Sequence, residues 1–465
     1  METSRVSLTR AVKEKARALG FDLVGIAPVR ESEHAGFYRR WIADGRHGEM
    51  AYLARTDAVE RRLDPRSAWP ALRSAIVVGL GYDPGDGREG PGARSACPPV
   101  GTPAGDPAPA PPPATHGEPS RGVIARYARG RDYHKVIKRK LLSLLEWLED
   151  EVGRELPAAR AYVDTGPVLE RELARRAGLG WFGRSTMLIH PRRGSFFFLG
   201  TLLVELELEY DAPFEADRCG SCSACVDACP TGALLGRDDE GAPVIDASRC
   251  ISYLTIELRA PIPRELRSRI GNRIFGCDIC QEVCPFTRKF SGPTSEPAFA
   301  ARGPGEPPHG VDALPGDAWH PGTDSPSLVD LMTMDEAAWD AFSRGSAIRR
   351  AGRAGFLRNV AVALGNWLGS VEDPPEEAVA ALVRALGHEE PLVRGHAAWA
   401  LGRIGTEEAR SALASALSGE RDPWVREELG LAMGTTFDIP SRPPEKDPDP
   451  SRARRGSIRT LRQGS

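Results

Sequence analysis

The chain has 465 residues, enough for about three domains of roughly 150 residues each. Its 61 lysines and arginines balance 64 aspartates and glutamates, and the net charge of −3 excludes a uniformly basic nucleic-acid coat and a disordered acidic chain. Nine cysteines are too few for a disulfide scaffold. No apolar run approaches the roughly 18 residues of a membrane span, and the start lacks the apolar stretch of a signal peptide. We therefore expect no membrane association and a cytoplasmic location.

The first 210 residues mix predicted helices and strands. A helix over the first 19 residues is followed by two apolar strands, a long amphipathic helix, a short strand and a further strand. Proline at the first helical position and glycine after the last are typical helix boundaries, so Pro167 and Gly178 predict another helix. The elements after the first helix are, in chain order, Phe21–Ala27, Ser74–Leu80, Val136–Val152, Ala161–Val163 (ending at Asp164), Pro167–Gly178 and Phe196–Leu206. This mixture predicts one α/β or α+β domain over 1–210.

Two segments are rich in proline and glycine, a composition that cannot pack as a core. We expect residues 84–119 to be a disordered insertion and 292–326 to be a linker. Cys97 lies in the insertion with no ligand spacing around it, so we interpret it as a bystander. The tail, 437–465, is basic and expected to be disordered.

A short sequence repeat marks the C-terminal part, 327–436. The stretch from Arg394 to Gly402 recurs from Arg426 to Gly434, and a looser copy begins at Arg358. Helix pairs at this period are typical of HEAT-like repeats. Their role is either packing or the presentation of a concave surface to a macromolecule.

Eight of the nine cysteines fall between Cys219 and Cys284. The first run has the spacing x2, x2, x3 before a proline, as in bacterial two-cluster ferredoxins, where the fourth cysteine binds the other cluster. The second run lacks one cysteine, which Cys250 can supply. Crossover then predicts two [4Fe–4S] clusters in a ferredoxin-like region, 211–291, the first held by Cys219, Cys222, Cys225 and Cys284, the second by Cys229, Cys250, Cys277 and Cys280. Structural zinc is the alternative, but zinc sites rarely show this pattern twice.

Two [4Fe–4S] clusters transfer electrons one at a time and need an acceptor at the end of the route. The chain is either a ferredoxin-like carrier, or its N-terminal domain binds an acceptor cofactor, which the length of that domain favours. Gly178, Gly180 and Gly183 match the dinucleotide pattern G-x-G-x-x-G, but they follow a predicted helix rather than a strand, so we reject that interpretation. Asp132-Tyr-His134 begins like a cobalamin-ligating motif, but Ile137 stands where its glycine belongs.

Several stretches together resemble one family, the cobalamin-dependent iron–sulfur epoxyqueuosine reductases. They are Arg129–Ile137, the run Val163-Asp-Thr-Gly-Pro-Val-Leu-Glu-Arg continuing to Gly183, both cysteine runs, Gly271–Cys277 and His396–Gly402. The resemblance implies reduction of the epoxide of epoxyqueuosine at the wobble position of tRNA anticodons, the last step of queuosine biosynthesis. It also implies an α+β fold, with an N-terminal cobalamin-binding domain related to reductive dehalogenases, a two-cluster domain and HEAT-like repeats.

The resemblance further implies roles for single residues. Asp164 matches the proton donor of the family, and Arg62 falls where the family contacts cobalamin. Ala125, through its backbone, and Leu188, Leu199 and Ser252 fall at other positions that line the corrin or its tail. We note a conflict at Asp164: a helix starting at Pro167 would lower the pKa of this carboxyl, whereas a general acid needs a raised pKa.

A basic stretch at 121–140 suits a tRNA substrate, with the alternative that it is a solvated helix face. Its two tyrosines, Tyr127 and Tyr133, are candidates for stacking on bases. Its cations are Arg121, Arg126, Arg129, Arg131, Lys135, Lys138, Arg139 and Lys140. We expect a monomer supplied by an external one-electron donor such as a flavodoxin or ferredoxin. The competing functions are a corrinoid reductive dehalogenase and a non-catalytic ferredoxin-type electron carrier.

Overall fold

The computed structural model describes residues 2–83, 117–310 and 318–434. Most of the predicted insertion at 84–119, with Cys97, lies outside the described residues, as does the basic tail, 437–465. Within the described ranges, no helix combines the length and the apolar character that a membrane span requires.

The N-terminal part is built on an antiparallel sheet of four strands in the order β1-β2-β7-β4. The elements of this part are α1 Glu2–Ala18, β1 Leu23–Pro28, α2 Ala35–Ala43, α3 Thr56–Leu63, β2 Ser74–Gly81, β3 Val123–Ile124, α4 Tyr133–Val152, β4 Arg160–Tyr162, α5 Glu170–Arg176, β5 Trp181–Phe182, β6 Leu188–Ile189 and β7 Phe197–Val204. Both central strands, β2 and β7, are almost continuously apolar and buried, as expected for a sheet covered on two faces. Helices α1 and α4 pack on one face and α5 on the other.

The helix predicted to open at Pro167 begins three residues later, at Glu170. Pro167 and Val168 instead belong to a loop in which the Glu170 carboxylate accepts a hydrogen bond from the backbone N–H of Asp164 (2.8 Å). Gly178 does follow the helix, with a left-handed φ of 77°. The pattern at Gly178–Gly183 runs from a helix into β5, which confirms that it is not a dinucleotide-binding turn.

The cysteine region consists of short elements. They are α6 Ala224–Asp227, β8 Leu234–Arg237, β9 Pro243–Ile245, α7 Ile251–Ile256, α8 Arg264–Ile270, β10 Arg273–Phe275, α9 Ile279–Glu282 and α10 Pro285–Phe290. Strand β10 pairs in parallel with β3, which joins this region to the N-terminal part.

The C-terminal part is helical and repetitive, as the sequence predicted. Its helices are α11 Leu328–Met332, α12 Glu336–Ser343, α13 Gly352–Leu368, α14 Glu376–Ala385, α15 Pro391–Ile404, α16 Glu407–Gly419 and α17 Pro423–Ala432. Helices α13, α15 and α17 stack in one row. The repeated glycine explains the close stacking: a Cβ on Gly365 would lie 2.8 Å from Ala400, and one on Gly402 would lie 2.7 Å from Ala432.

One hydrophobic core joins the cysteine region to the helical repeats, because buried side chains of α7, α8 and β10 pack with those of α11 to α17. The described parts of 292–326, predicted to be a linker, are irregular but well packed. Phe299 lies in the core beside α4, and the buried Arg302 donates to the carbonyl of Phe342 (2.8 Å).

Candidate functional site

Asp164 stands at the end of β4 in an unusual backbone conformation. Its φ of 57° is left-handed, a region that non-glycine residues rarely adopt and that is concentrated at functional sites. Its side chain is exposed, and its Oδ2 accepts a hydrogen bond from the hydroxyl of Tyr133 (2.7 Å). The loop therefore presents a held but accessible carboxyl group.

Glu170 lies directly behind this carboxyl and was not identified from the sequence. Its Oε2 accepts from the Asp164 backbone, whereas its Oε1 is buried with no hydrogen-bond partner among the described residues. Burial first, and then the charge of Asp164, raise the pKa of Glu170 to about 8. An acidic residue in the first turn of α5 was the available signal, but such a residue ordinarily only caps a helix.

The predicted conflict at Asp164 loses its original basis, because α5 does not begin next to it. The first turn of this short helix already contains two carboxylates of its own, Glu170 and Glu172. Glu172 is buried in a salt bridge with Arg176 (2.6 Å) and accepts from Ser32. The group of α5 that contacts Asp164 is therefore the side chain of Glu170, which bonds its backbone N–H.

The two tyrosines proposed to stack on bases are packed inside the protein. Tyr133 is buried and stacks on Phe198 with ring centres 4.1 Å apart. Tyr127 is half-buried and contacts the rings of Phe198 and Phe275. The expectation of base stacking is wrong for Tyr133, whose hydroxyl instead donates a hydrogen bond to Asp164.

The basic stretch divides into internal and exposed cations. Arg126 is buried and paired with Asp83 and Glu282, and Lys140 pairs with Glu296 (2.9 Å). Lys135, Lys138 and Arg139 remain exposed on one face of α4, turned away from the buried Tyr133. Only part of the predicted stretch is therefore available to a polyanion.

Arg62 and Asp164 both influence the exposed Tyr52, and we name the surface around these three residues the open face. Arg62 donates to the carbonyl of Tyr52 (3.4 Å), and burial, with the charges of Glu257 and Asp164, raises the pKa of the Tyr52 phenol. Glu257 follows α7, the helix that carries Ser252. This face therefore lies where the N-terminal part meets the cysteine region.

The other predicted positions lie at different depths in the protein. Ser252 lies beside Cys250, and its backbone and hydroxyl hydrogen bonds oppose the burial that raises the pKa of Cys250. Ala125 is buried, with its N–H donating to the carbonyl of Phe275 (2.8 Å). Leu188 and Leu199 lie on the face of the sheet covered by α5, where Leu188 is buried and Leu199 half-buried.

The first predicted group of cysteines, which we name the outer set, lines a cleft with about 390 Å³ of space up to its open mouth. The outer set is Cys219, Cys222, Cys225 and Cys284. Cys222 is exposed, and the indole N–H of Trp181 points to the sulfur of Cys219 (3.4 Å). Four cysteine sulfurs around one cleft are the donor set that a [4Fe–4S] cluster takes.

The remaining four cysteines, which we name the inner set, lie further inside. The inner set is Cys229, Cys250, Cys277 and Cys280. Burial and the neighbouring cysteines of this set raise the pKa of Cys280 well above its ordinary value. Burial, above all, raises the pKa of Cys277 to about 12. Bare thiols at Cys277 and Cys280 would stay protonated at neutral pH, so their thiolate state requires a cationic centre such as iron.

Family models match three parts of the chain. The model described as epoxyqueuosine reductase QueG, DUF1730, matches residues 62–165, that of a 4Fe-4S double cluster binding domain matches 218–287, and that of HEAT repeats matches 348–434. The epoxyqueuosine reductase of Pseudomonas aeruginosa is 39% identical over 398 residues, which cover 86% of this chain and 95% of that protein. This chain belongs to the epoxyqueuosine reductase family. The resemblance found in the sequence is confirmed, and the chain is an oxidoreductase with a two-cluster [4Fe–4S] domain.

Other relatives agree. The Escherichia coli epoxyqueuosine reductase is 37% identical over 395 residues, covering 85% of this chain and 89% of that protein. A crystal structure of an epoxyqueuosine reductase with an epoxyqueuosine-modified tRNA-Tyr stem loop has a TM-score of 0.71 at 27% identity, covering 92% of this chain and 98% of that one. A Bacillus subtilis epoxyqueuosine reductase, with its catalytic aspartate loop swung out of the active site, has a TM-score of 0.70 at 27% identity and the same coverage.

Proposed function

We propose that this protein reduces epoxyqueuosine to queuosine at the wobble position of tRNA anticodons, the last step of queuosine biosynthesis. The observation that carries the proposal is Asp164, which is exposed, held in a left-handed conformation and backed by Tyr133 and Glu170. Family membership and the relative solved with a modified tRNA stem loop support the choice of substrate.

Cobalamin is the proposed partner of the open face. We assign six residues to hold it: Arg62, Asp164, Leu188, Leu199, Ser252 and Ala125, the last through its backbone. A guanidinium, hydroxyls and backbone groups beside apolar side chains suit a large macrocycle with amide arms. Cobalamin bound there would supply strongly reducing two-electron chemistry at its cobalt.

The two cysteine sets are assigned to the two clusters, which carry electrons singly. The outer set opens to solvent at Cys222, so an external donor such as a flavodoxin or ferredoxin reaches it first. The inner set lies beside Ser252 and the open face. The route therefore runs from the surface to the site of reduction.

Asp164 is assigned as the proton donor. Two electrons and two protons convert the epoxide to an alkene and water, and the oxygen of the opening ring needs a proton as its charge develops. Tyr133 orients the Asp164 carboxyl through its hydroxyl, and Glu170 fixes the backbone of the loop. Glu170, with its pKa of about 8, also adds a negative charge beside Asp164 only at alkaline pH.

Nucleoside analysis of tRNA from a deletion strain tests the proposal. We expect epoxyqueuosine to accumulate, queuosine to return with the wild-type gene, and Asp164→Asn to restore less than about a hundredth of the wild-type rate while still binding cobalamin. Normal queuosine in the deletion strain would favour the dehalogenase or electron-carrier functions. Full turnover by Asp164→Asn would refute the proton-donor role alone.

A further inference from the structure

The row of helices α13, α15 and α17 binds successive segments of the cysteine region, in the same order along both parts of the chain. Arg358 and Asn359 of α13 bind carbonyls of residues 254–260 and of Ile274. His396 of α15 accepts from the backbone N–H of Ile262 (3.2 Å), and Glu428 of α17 binds Arg267 (2.7 Å). The row is therefore occupied by this chain's own segment 254–267 and does not offer a free concave surface there.

Arg358 makes the most extensive of these contacts. Its side chain is 1% exposed, and it donates to the carbonyls of Leu254 (2.6 Å), Leu258 (2.9 Å) and Ala260 (2.9 Å). These carbonyls lie at the C-terminal end of α7 and just beyond it, where a cation is favourable. The opposite end of α7 begins at Cys250.

Asn359 ties a second cysteine-bearing segment to the first. Its amide donates to the carbonyls of Thr255 (2.8 Å) and Ile274 (2.9 Å), and its own oxygen accepts from Arg358 (3.1 Å). The Thr255 hydroxyl also accepts from the backbone of Gly276 (2.9 Å), the residue before Cys277. The two neighbouring side chains thus fix α7 and β10 relative to each other.

The equivalent arginines of the other repeats behave differently. Arg394 binds Glu420 and the carbonyls of His388 and Glu389, all within the repeats. Arg426 likewise donates to the carbonyls of Leu417 and Glu420. Arg358 is thus the member of this repeated position that reaches out of the helical part, and Arg394 is its natural control.

We infer that Arg358 and Asn359 are positioning residues for the inner [4Fe–4S] cluster, because they set the spacing between the segments that carry Cys250 and Cys277. The inference rests on the cysteine assignment of the proposed function. Four thiolates must meet one cubane at fixed distances, and hydrogen bonding and burial around a cluster set its potential. A function of the helical repeats is therefore to complete an electron-transfer site.

The test uses the full chain, reconstituted anaerobically, with iron content and an electron paramagnetic resonance redox titration as readouts. Arg358→Met removes the donors and the charge, Arg358→Lys keeps the charge, and Asn359→Ala removes the bridge. Arg394→Met is the matched control. Cys225→Ser and Cys280→Ser assign the outer and inner signals.

We expect Arg358→Met to lose the inner signal, with iron falling to about half of the wild-type content, and to leave the outer signal unchanged. Asn359→Ala should keep the iron but shift the midpoint potential of the inner cluster, Arg358→Lys should recover part of the inner signal, and Arg394→Met should match wild type. If Arg358→Met does not fold, the Asn359→Ala titration decides.

Two results would overturn the inference. In one, Arg358→Met and Asn359→Ala leave the inner signal and its potential unchanged. In the other, Arg394→Met disturbs the inner signal as much as Arg358→Met does, so that general loosening explains both. A wild-type chain that holds a single cluster would instead overturn the cysteine assignment on which the inference depends.

Discussion

Replacing Glu170 by glutamine separates its charge from its hydrogen bond. Glutamine keeps an oxygen that accepts the Asp164 N–H but never ionises. Because the pKa of Glu170 is about 8, roughly nine-tenths of the wild-type molecules carry a neutral Glu170 at pH 7. The two proteins should therefore have the same activity within about twofold at pH 7 and differ above pH 8.

The size of the difference follows from the causes of the raised pKa. The rise from 4.5 to about 8 corresponds to at most about 5 kcal/mol, and burial contributes more than Asp164 does. Asp164 contributes to that rise through its negative charge, so the two carboxyl groups are electrostatically coupled. We expect the kcat/KM of the wild type to fall as Glu170 ionises near pH 8, because the added negative charge opposes the charge that develops on the epoxide oxygen, and we expect Glu170→Gln to lack this fall.

The same shift affects stability with a defined sign. Folded protein binds more protons at Glu170 than unfolded chain between pH 4.5 and about 8, so this group lowers the free energy of unfolding as the pH rises through that window. The loss is absent below pH 4.5 and complete above pH 8. Glu170→Gln should remove it, and urea unfolding at pH 6 and pH 9 measures the difference.

The activity assay follows queuosine formation on epoxyqueuosine-containing tRNA from pH 6 to 9.5. Glu336→Gln, an exposed first-turn glutamate of the short helix α12, is the control and should reproduce the wild-type profile. Superimposable profiles of Glu170→Gln and wild type would refute the coupling. A large loss already at pH 7 would show that Glu170 acts in its ionised form.

Two further predictions concern stability and substrate binding. Glu428→Gln leaves the buried Arg267 without its counter-charge and should lower the free energy of unfolding in urea by about 3–5 kcal/mol. The control, Glu407→Gln, comes from an exposed pair with Arg410 and should lower it by under about 0.5 kcal/mol. Equal effects of the two variants would contradict this prediction. The double variant Lys138→Glu with Arg139→Glu should raise KM for tRNA and reduce the slope of log KM against the logarithm of salt concentration by about 1.4. The control, Arg384→Glu at an exposed position of α14, should leave both quantities unchanged. An unaltered slope in the double variant would exclude this face of α4 from tRNA binding.

The elements that the sequence predicted well are those with a strong local pattern. The continuous apolar run at Ser74–Leu80 became a strand ending one residue later, because burial on two faces demands that pattern. The cysteine spacing likewise predicted the two-cluster domain, since ligand spacing reflects the geometry of the cluster.

Local rules failed where a distant contact decided the outcome. Pro167 is a good helix start, but the bond from Asp164 to Glu170 places it in a loop. Arg126 and Tyr133 looked like surface residues in a basic stretch, yet acidic partners and an aromatic stack bury them. The grip of Arg358 on residues 254–260 joins positions about a hundred residues apart, which no periodicity within either segment could reveal.

The hydrogen bonds between Arg358 and residues 254–260 have a consequence for the biosynthesis of the protein. The chain is made from its N-terminus, and about seventy residues separate the last cysteine, Cys284, from Arg358. All the cysteines therefore leave the ribosome before the helices that hold two of them in place. The site of the inner cluster therefore stays incomplete until the C-terminal repeats have been made. Iron loading of the inner cluster should be complete only after translation of the repeats, so a chain truncated before α13 is expected to be released with that cluster unfinished.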